Sequence, residues 1–270
     1  MTSFLIPLGI LTTMFLLVAT LERVPRLQHT PSRLHRPWFE TDLLWYLVAA
    51  VAAGLSTFIL RPILVRLAIP GLSTVVGSLP SPVALIVAVV VFDGVFFAVH
   101  VGLHRSDTLW NFHKVHHSSR HLDFLATTRT HAFEHLLRNV PAQLVLFAFG
   151  FAPETIATSI LVLGGFGVLN HSNLRLPLAR VEGLFITPRL HRVHHVPVTS
   201  LNNYATIFTF WDRAFGSLRQ VDTPTGAILG VPGEVDTYPQ SFVPAFREPV
   251  RQLTAERRAA HAFAEEQEAA

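Results

Sequence analysis

The sequence predicts an all-α integral membrane protein with several transmembrane helices, a short membrane hairpin and a cytoplasmic histidine-rich helical cap. Three observations carry that expectation. Half of the 270 residues are hydrophobic and only 14% are charged, against about a quarter charged in soluble domains, and mean hydropathy is +0.41. The apolar residues are gathered into runs of the length that hydrocarbon requires. Twelve of the fifteen histidines fall between His100 and His195, in spaced sets beside those runs.

The elements follow in chain order. Met1 to Leu21 contains no charged residue, and as a helix it is long enough for a bilayer core of about 30 Å. It has neither a basic leading segment nor a small-x-small cleavage site, so it reads as a span rather than a signal peptide. Leu43 to Leu60 is a second charge-free stretch, bounded by Asp42 and Arg61, and Pro80 to Val99 is a third, interrupted only by Asp93. His100 to Arg138 is dense in polar residues and belongs outside hydrocarbon. Asn139 to Pro153 and Thr155 to Asn170, with Glu154 between them, are each roughly 15 residues, near 23 Å as helix. A hairpin that dips into the membrane and two true spans both fit that length.

These runs divide the chain into an N-terminal transmembrane region (1–90), a histidine-bearing domain that includes the hairpin 139–170 (91–218), and a loop with a charged C-terminal helix (219–270). In the last region, Gln220 to Pro249 reads as loop and Pro249 to Glu268 as a surface helix. Arg23, Arg26, Arg33 and Arg36 follow the first run, whereas only Arg61 and Arg66 follow the second. The positive-inside rule therefore puts the first loop, and with it the histidines, on the cytoplasmic side. The formal charge of +3 comes without a basic run interleaved with aromatics, which argues against a nucleic-acid partner. With no cysteine, disulfides, iron-sulfur clusters and thiolate zinc sites are excluded, and any metal must sit on nitrogen and oxygen.

The histidines have the spacing of ligands. His100 and His104, at i and i+4, share one helical face. The triads His113/His116/His117 and His191/His194/His195 are expected to bring three imidazoles each to a common point, and His131 and His171 add to the set. Such a number is excessive for one ion and suits two, about 3.5–4 Å apart; imidazole alone permits iron, zinc or copper. Clustered imidazoles cost desolvation unless something binds them, a proton relay being the chief rival. His29, His35 and His261 read as surface residues, and His121 and His135 as bystanders. Glu134 is well placed to hold the far nitrogen of a ligand. Asp93, on the face of His100, either serves the site or is a packing acid bonded to a neighbour. Thr187 can cap, Pro188 can open and Pro197 can stop a helix that bears the last triad.

Taken in order, Asp93 to His104, Leu109-Trp110-Asn111-Phe112-His113-Lys114-Val115-His116-His117-Ser118, Thr128 to Glu134, Asn170-His171-Ser172-Asn173, Thr187 to His195, Asn203-Tyr204 and Trp211 to Gly216 resemble the fatty acid hydroxylase superfamily, in particular its bacterial sterol-desaturase-like members. The resemblance covers Asp93 to Leu218, about half the chain. It implies a membrane-bound, non-haem di-iron oxygenase that hydroxylates or desaturates a lipid (sterol, fatty acyl or related) with O2. His100, His104, His113, His116, His117, His171, His191, His194 and His195 inherit the ligand role, and His131 is either a ligand or the neighbour of one. Two Fe ions are implied, with zinc as another occupant. The chain has no haem-attachment motif, dinucleotide fingerprint or cysteine, so electrons are expected from a separate reductase or ferredoxin-like partner. The bacterial inner membrane is the implied location. Phe96-Phe97, His100-Val101 and Ala205 depart from the family's common pattern near the expected cavity and leave the substrate open. A histidine-based metal transport or storage protein, a non-catalytic structural relative and a zinc hydrolase are the alternatives.

Overall fold

The computed structural model describes residues 2–33 and 35–268, with side chains described at 9–33, 35–54 and 66–260. Its regular structure is helical: α1 (Thr2–Leu21), α2 (Phe39–Leu64), α3 (Pro70–Gly77), α4 (Ser81–Arg105), α5 (Asp107–His117), α6 (Ala132–Phe149), α7 (Pro153–His171), α8 (Pro188–His195), α9 (Thr209–Ala214) and α10 (Phe242–Glu268). Among the described residues, β-pairing is limited to two isolated bridges, Gln28 with Leu174 and Phe185 with Phe208.

α4 is the axis of the molecule. It packs against α5, α6 and α7, while α2 lies on α6 and α1 on α7. Ala88, Phe92 and Phe96 of α4 meet Ala142 and Leu146 of α6 and Leu163 of α7 in the main apolar core. Among the described residues α4 is the one helix both long and apolar enough to cross a membrane; the described part of α1 contributes a shorter apolar stretch, Gly9–Leu21.

Local chemistry sets the boundaries. Ser106 ends α4 and caps α5, its hydroxyl accepting from Leu109 N. α6 stops at Gly150, whose φ of +82° suits a residue without Cβ; a Cβ there would also lie 2.3 Å from that of Ser73 on α3. The expected cap of α8 is present: Thr187 accepts from Leu190 N, Pro188 opens the helix, and it ends two residues before Pro197.

The structure corrects three boundary and charge readings. α6 and α7 are 18 and 19 residues long, because α6 takes in the polar segment 132–138 and α7 takes in Pro153, Glu154 and His171. α10 begins at Phe242, so Pro249 lies inside it rather than at its start; Trp45 of α2 packs on Phe242 and Phe246 and rewards the earlier start. Arg36 is not an orientation charge. It is buried, with Nη2 2.6 Å from Asp42 and Nε 2.5 Å from Asp123, and Asp42 also receives Arg129 Nε at 2.5 Å. This network ties the first loop to the segment between α5 and α6.

Candidate metal centre

Nine imidazoles from α4, α5, α7 and α8 meet in two groups. His100, His104, His113, His117 and His194 form one, and His116, His171, His191 and His195 the other, with the ligand atoms of each group within 4.8 Å of one another. All nine are residues that the sequence marks. What differs is how they divide. Each triad was expected to converge on one point, yet α5 sends His113 and His117 to the first group and His116 to the second, while α8 sends His191 and His195 to the second and His194 to the first. The cause is the helical period: i and i+4 lie about 40° apart around the axis, whereas i+3 falls about 60° to the other side of i. A triad therefore serves two neighbouring centres.

Five of the outer nitrogens are held by acceptors, whereas Nδ1 of His117, His191 and His195 is buried without a partner. Nδ1 of His100 lies 2.6 Å from the Tyr204 carbonyl, His194 2.7 Å from Asn202 O, His171 2.7 Å from Gly167 O and His116 3.2 Å from Arg129 O. His113 Nδ1 meets Glu134 Oε1 at 2.8 Å, as expected of that carboxylate. A carbonyl can only accept, so these Nδ1 atoms carry the proton and each Nε2 presents a lone pair. The Nε2 atoms then face one another: 3.1 Å between His100 and His113, and 2.9 Å between His116 and His171. Two lone pairs at that distance repel unless a proton or a cation lies between them.

Protons are disfavoured. Burial, and then the neighbouring imidazoles, hold His113, His116, His117, His191 and His195 well below the usual histidine range, and burial lowers His194 to about 4. The donor set of neutral, pre-oriented imidazoles fits metal cations, iron among them.

The remaining predicted residues stand apart. His131 joins neither group: its Nδ1 accepts from Phe133 N at 3.2 Å and caps α6, and its ring packs on Phe112 and Phe246. Asp93 is a packing acid of a particular kind. It accepts from the N–H groups of Thr206, Ile207 and Phe208 at 3.3, 3.0 and 3.0 Å, and so pins the loop whose Tyr204 carbonyl holds His100. Asp212, which the sequence reading passed over, pins the same loop through Tyr204 N and Ala205 N at 2.8 and 2.9 Å. Its place in Trp211 to Gly216 was the available signal. His29, His35, His121 and His135 lie outside both groups, and the side chain of His261 is outside the described residues.

Residues 85–217 match the fatty acid hydroxylase family model. The chain belongs to the fatty acid hydroxylase superfamily. The hydroxylase domain holds all nine histidines. It is similar to the ornithine lipid hydroxylase OlsE of Rhizobium tropici, 29% identical over 159 residues, which cover 58% of this chain and 48% of the relative. A cholesterol 25-hydroxylase-like protein of Danio rerio is 32% identical over 163 residues, 58% and 62% of the two chains. An alkylglycerol monooxygenase of Caenorhabditis elegans is 25% identical over 157 residues, 56% and 30%. The chain thus spans less than two thirds of each relative. No solved structure matches it.

Proposed function

We propose that this chain is a membrane-bound di-iron oxygenase that hydroxylates or desaturates a lipid with O2. The observation that carries the proposal is the pair of imidazole groups, in which five outer N–H groups are tied to carbonyls or to Glu134 and turn their lone pairs inward. The first group would hold one ion through His100, His104, His113, His117 and His194, and the second another through His116, His171, His191 and His195. Iron, when bound, supplies redox chemistry toward O2 and an unactivated C–H bond. The protein's part is orientation and exclusion of water. The Asp93 and Asp212 clamps keep the Tyr204 carbonyl on His100, and Glu134 keeps His113 turned inward. All nine imidazoles are buried except His104, which is half-buried between Trp110 and Tyr204 and marks the side on which substrate approaches.

Lipid as the substrate class is supported by relatives named for ornithine lipid, cholesterol and alkylglycerol. It also agrees with the outward faces of α1, α2 and α4, where Leu16, Val51 and Ile86 are each more than 60% exposed; water does not stabilise such faces and hydrocarbon does. α1, α2 and α4 are read as spans and α6–α7 as the membrane hairpin, with the histidines at a cytoplasmic surface of a bacterial inner membrane. Electrons arrive there from a separate reductase or ferredoxin-like donor.

The test replaces His194 or His116 by Ala. Each variant should lose iron, measured by elemental analysis, and lose O2-dependent conversion of lipid, measured by mass spectrometry of extracts from cells with and without the gene. Full turnover by a metal-depleted His194→Ala protein would exclude the mechanism. Zinc-loaded protein that turns over without O2 would favour hydrolysis instead.

A further inference from the structure

We propose that the cavity walled by His29, the segment 174–176, the first turn of α8 and the loop 222–225 is a phosphate-binding site. Its volume is about 360 Å³, within the range of small-ligand pockets. Arg175, Arg189 and Arg192 line it, with Asp222 as the acidic residue of the lining.

Two side chains there are buried without the partners their chemistry needs. Arg192 is 5% exposed; its Nη2 donates to Ser172 O at 3.1 Å, and it forms no ion pair among the described residues. A guanidinium with five donors and a full charge is not satisfied by one carbonyl. Thr223 is 8% exposed, and its hydroxyl has no hydrogen-bond partner, as is also true of His29 Nε2. All three residues line the same cavity.

The rest of the lining is pre-set for an oxyanion. Arg189 is held by Glu182 and, through Nη1, by Asp222 at 3.1 Å, which leaves Arg175 and Arg192 without an ion pair among the described residues. Arg175 stands exposed at the rim and makes no side-chain bond among the described residues. α8 turns its N-terminus to the cavity, where its dipole favours an anion. The walls are tied together by His29 N to Asn173 O at 2.8 Å, Arg175 N to Leu27 O at 2.6 Å and Thr225 Oγ1 to His29 O at 3.3 Å. Two guanidinium groups outside any ion pair and an unbonded hydroxyl suit a tetrahedral dianion, as inorganic phosphate, a phosphorylated small molecule or a lipid headgroup. Arg192 lies between His191 and His195 in α8, so a bound phosphate would sit against the back of the second imidazole group. The site does not depend on what that group binds.

The experiment uses the full chain in detergent and follows its melting temperature as sodium phosphate replaces sodium chloride at constant ionic strength. A saturable rise is expected, weakened about tenfold or more in apparent affinity by Arg175→Gln and by Thr223→Val, with the iron content and the phosphate-free melting temperature of Arg175→Gln unchanged. The absence of a saturable rise, or an undiminished phosphate response in either variant, would overturn the proposal. Reconstitution into phosphatidylcholine vesicles with and without phosphatidic acid identifies the source. Loss of the phosphate response only with phosphatidic acid assigns the site to a headgroup, and a response unchanged by it assigns the site to soluble phosphate compounds.

Discussion

Five of the clustered imidazoles take their orientation from what their other nitrogen touches. Glu134 is the one carboxylate in that role, and it also receives Arg138 Nη1 at 3.3 Å. Replacing it with Ala would leave the His113 N–H without an acceptor and the half-buried Arg138 without its counter-ion. Metal affinity should fall roughly 10- to 100-fold, read by competition with a chelator, while Glu134→Gln, which keeps an acceptor oxygen, should lose less. Wild-type affinity in Glu134→Ala would remove the orienting role. Glu134 could be found from its motif because it is a carboxylate beside histidines. The carbonyls of Arg129, Gly167, Asn202 and Tyr204 could not, because every residue has one and only the fold selects which is used.

At the level of elements, α4 and α9 approach at Gly94, where an added Cβ would lie 2.6 Å from Trp211 Cζ2. That indole stacks on Phe97 and packs against Phe210, so it cannot swing away freely. Gly94→Ala should therefore destabilise by about 1–3 kcal/mol despite the better helix propensity of alanine, and chemical unfolding measures it. An unchanged or raised stability would mean that the ring yields. Because Asp93 and Asp212 clamp the loop beside this contact, iron content should fall with stability. The helices themselves were largely legible: α1 and α8 at both ends, α2 and α4 by their apolar runs. The start of α10 was not, since it depends on Phe242 and Phe246 meeting Trp45, nearly 200 residues away in sequence.

Over the whole molecule, the buried imidazoles make stability depend on pH. Their folded-state pKa values lie below the unfolded value of 6.5, with His194 at about 4, so between those limits the unfolded chain binds more protons. Stability is then retained above pH 6.5 and lost as pH falls from 6.5 toward 4. Glu22, pushed up to about 8 chiefly by burial and then by Asp123, and Asp212, raised by burial, act in the opposite sense above their unfolded values of 4.5 and 3.8, but they are two groups against six imidazoles outside the proposed spans. The metal-stripped protein should show a melting temperature that drops steeply below pH 6.5. Iron should be lost in the same window, since only neutral imidazole binds it. A flat profile between pH 7 and 5 would contradict the buried, neutral state.

By itself the sequence determined the helical class, the paired and triple spacing of the histidines and the cap of α8, because apolar runs, i/i+4 spacing and capping chemistry are local; the choice of nine, the lone His171 among them, came from the family resemblance. Tertiary structure alone decided that each triad divides between two centres, that His131 is a cap and that Asp93 and Arg36 are structural. It also decided that Arg192 and Thr223 share a cavity with His29. These are relations between segments far apart in the chain, and the residue types involved fit several environments equally well until packing chooses one.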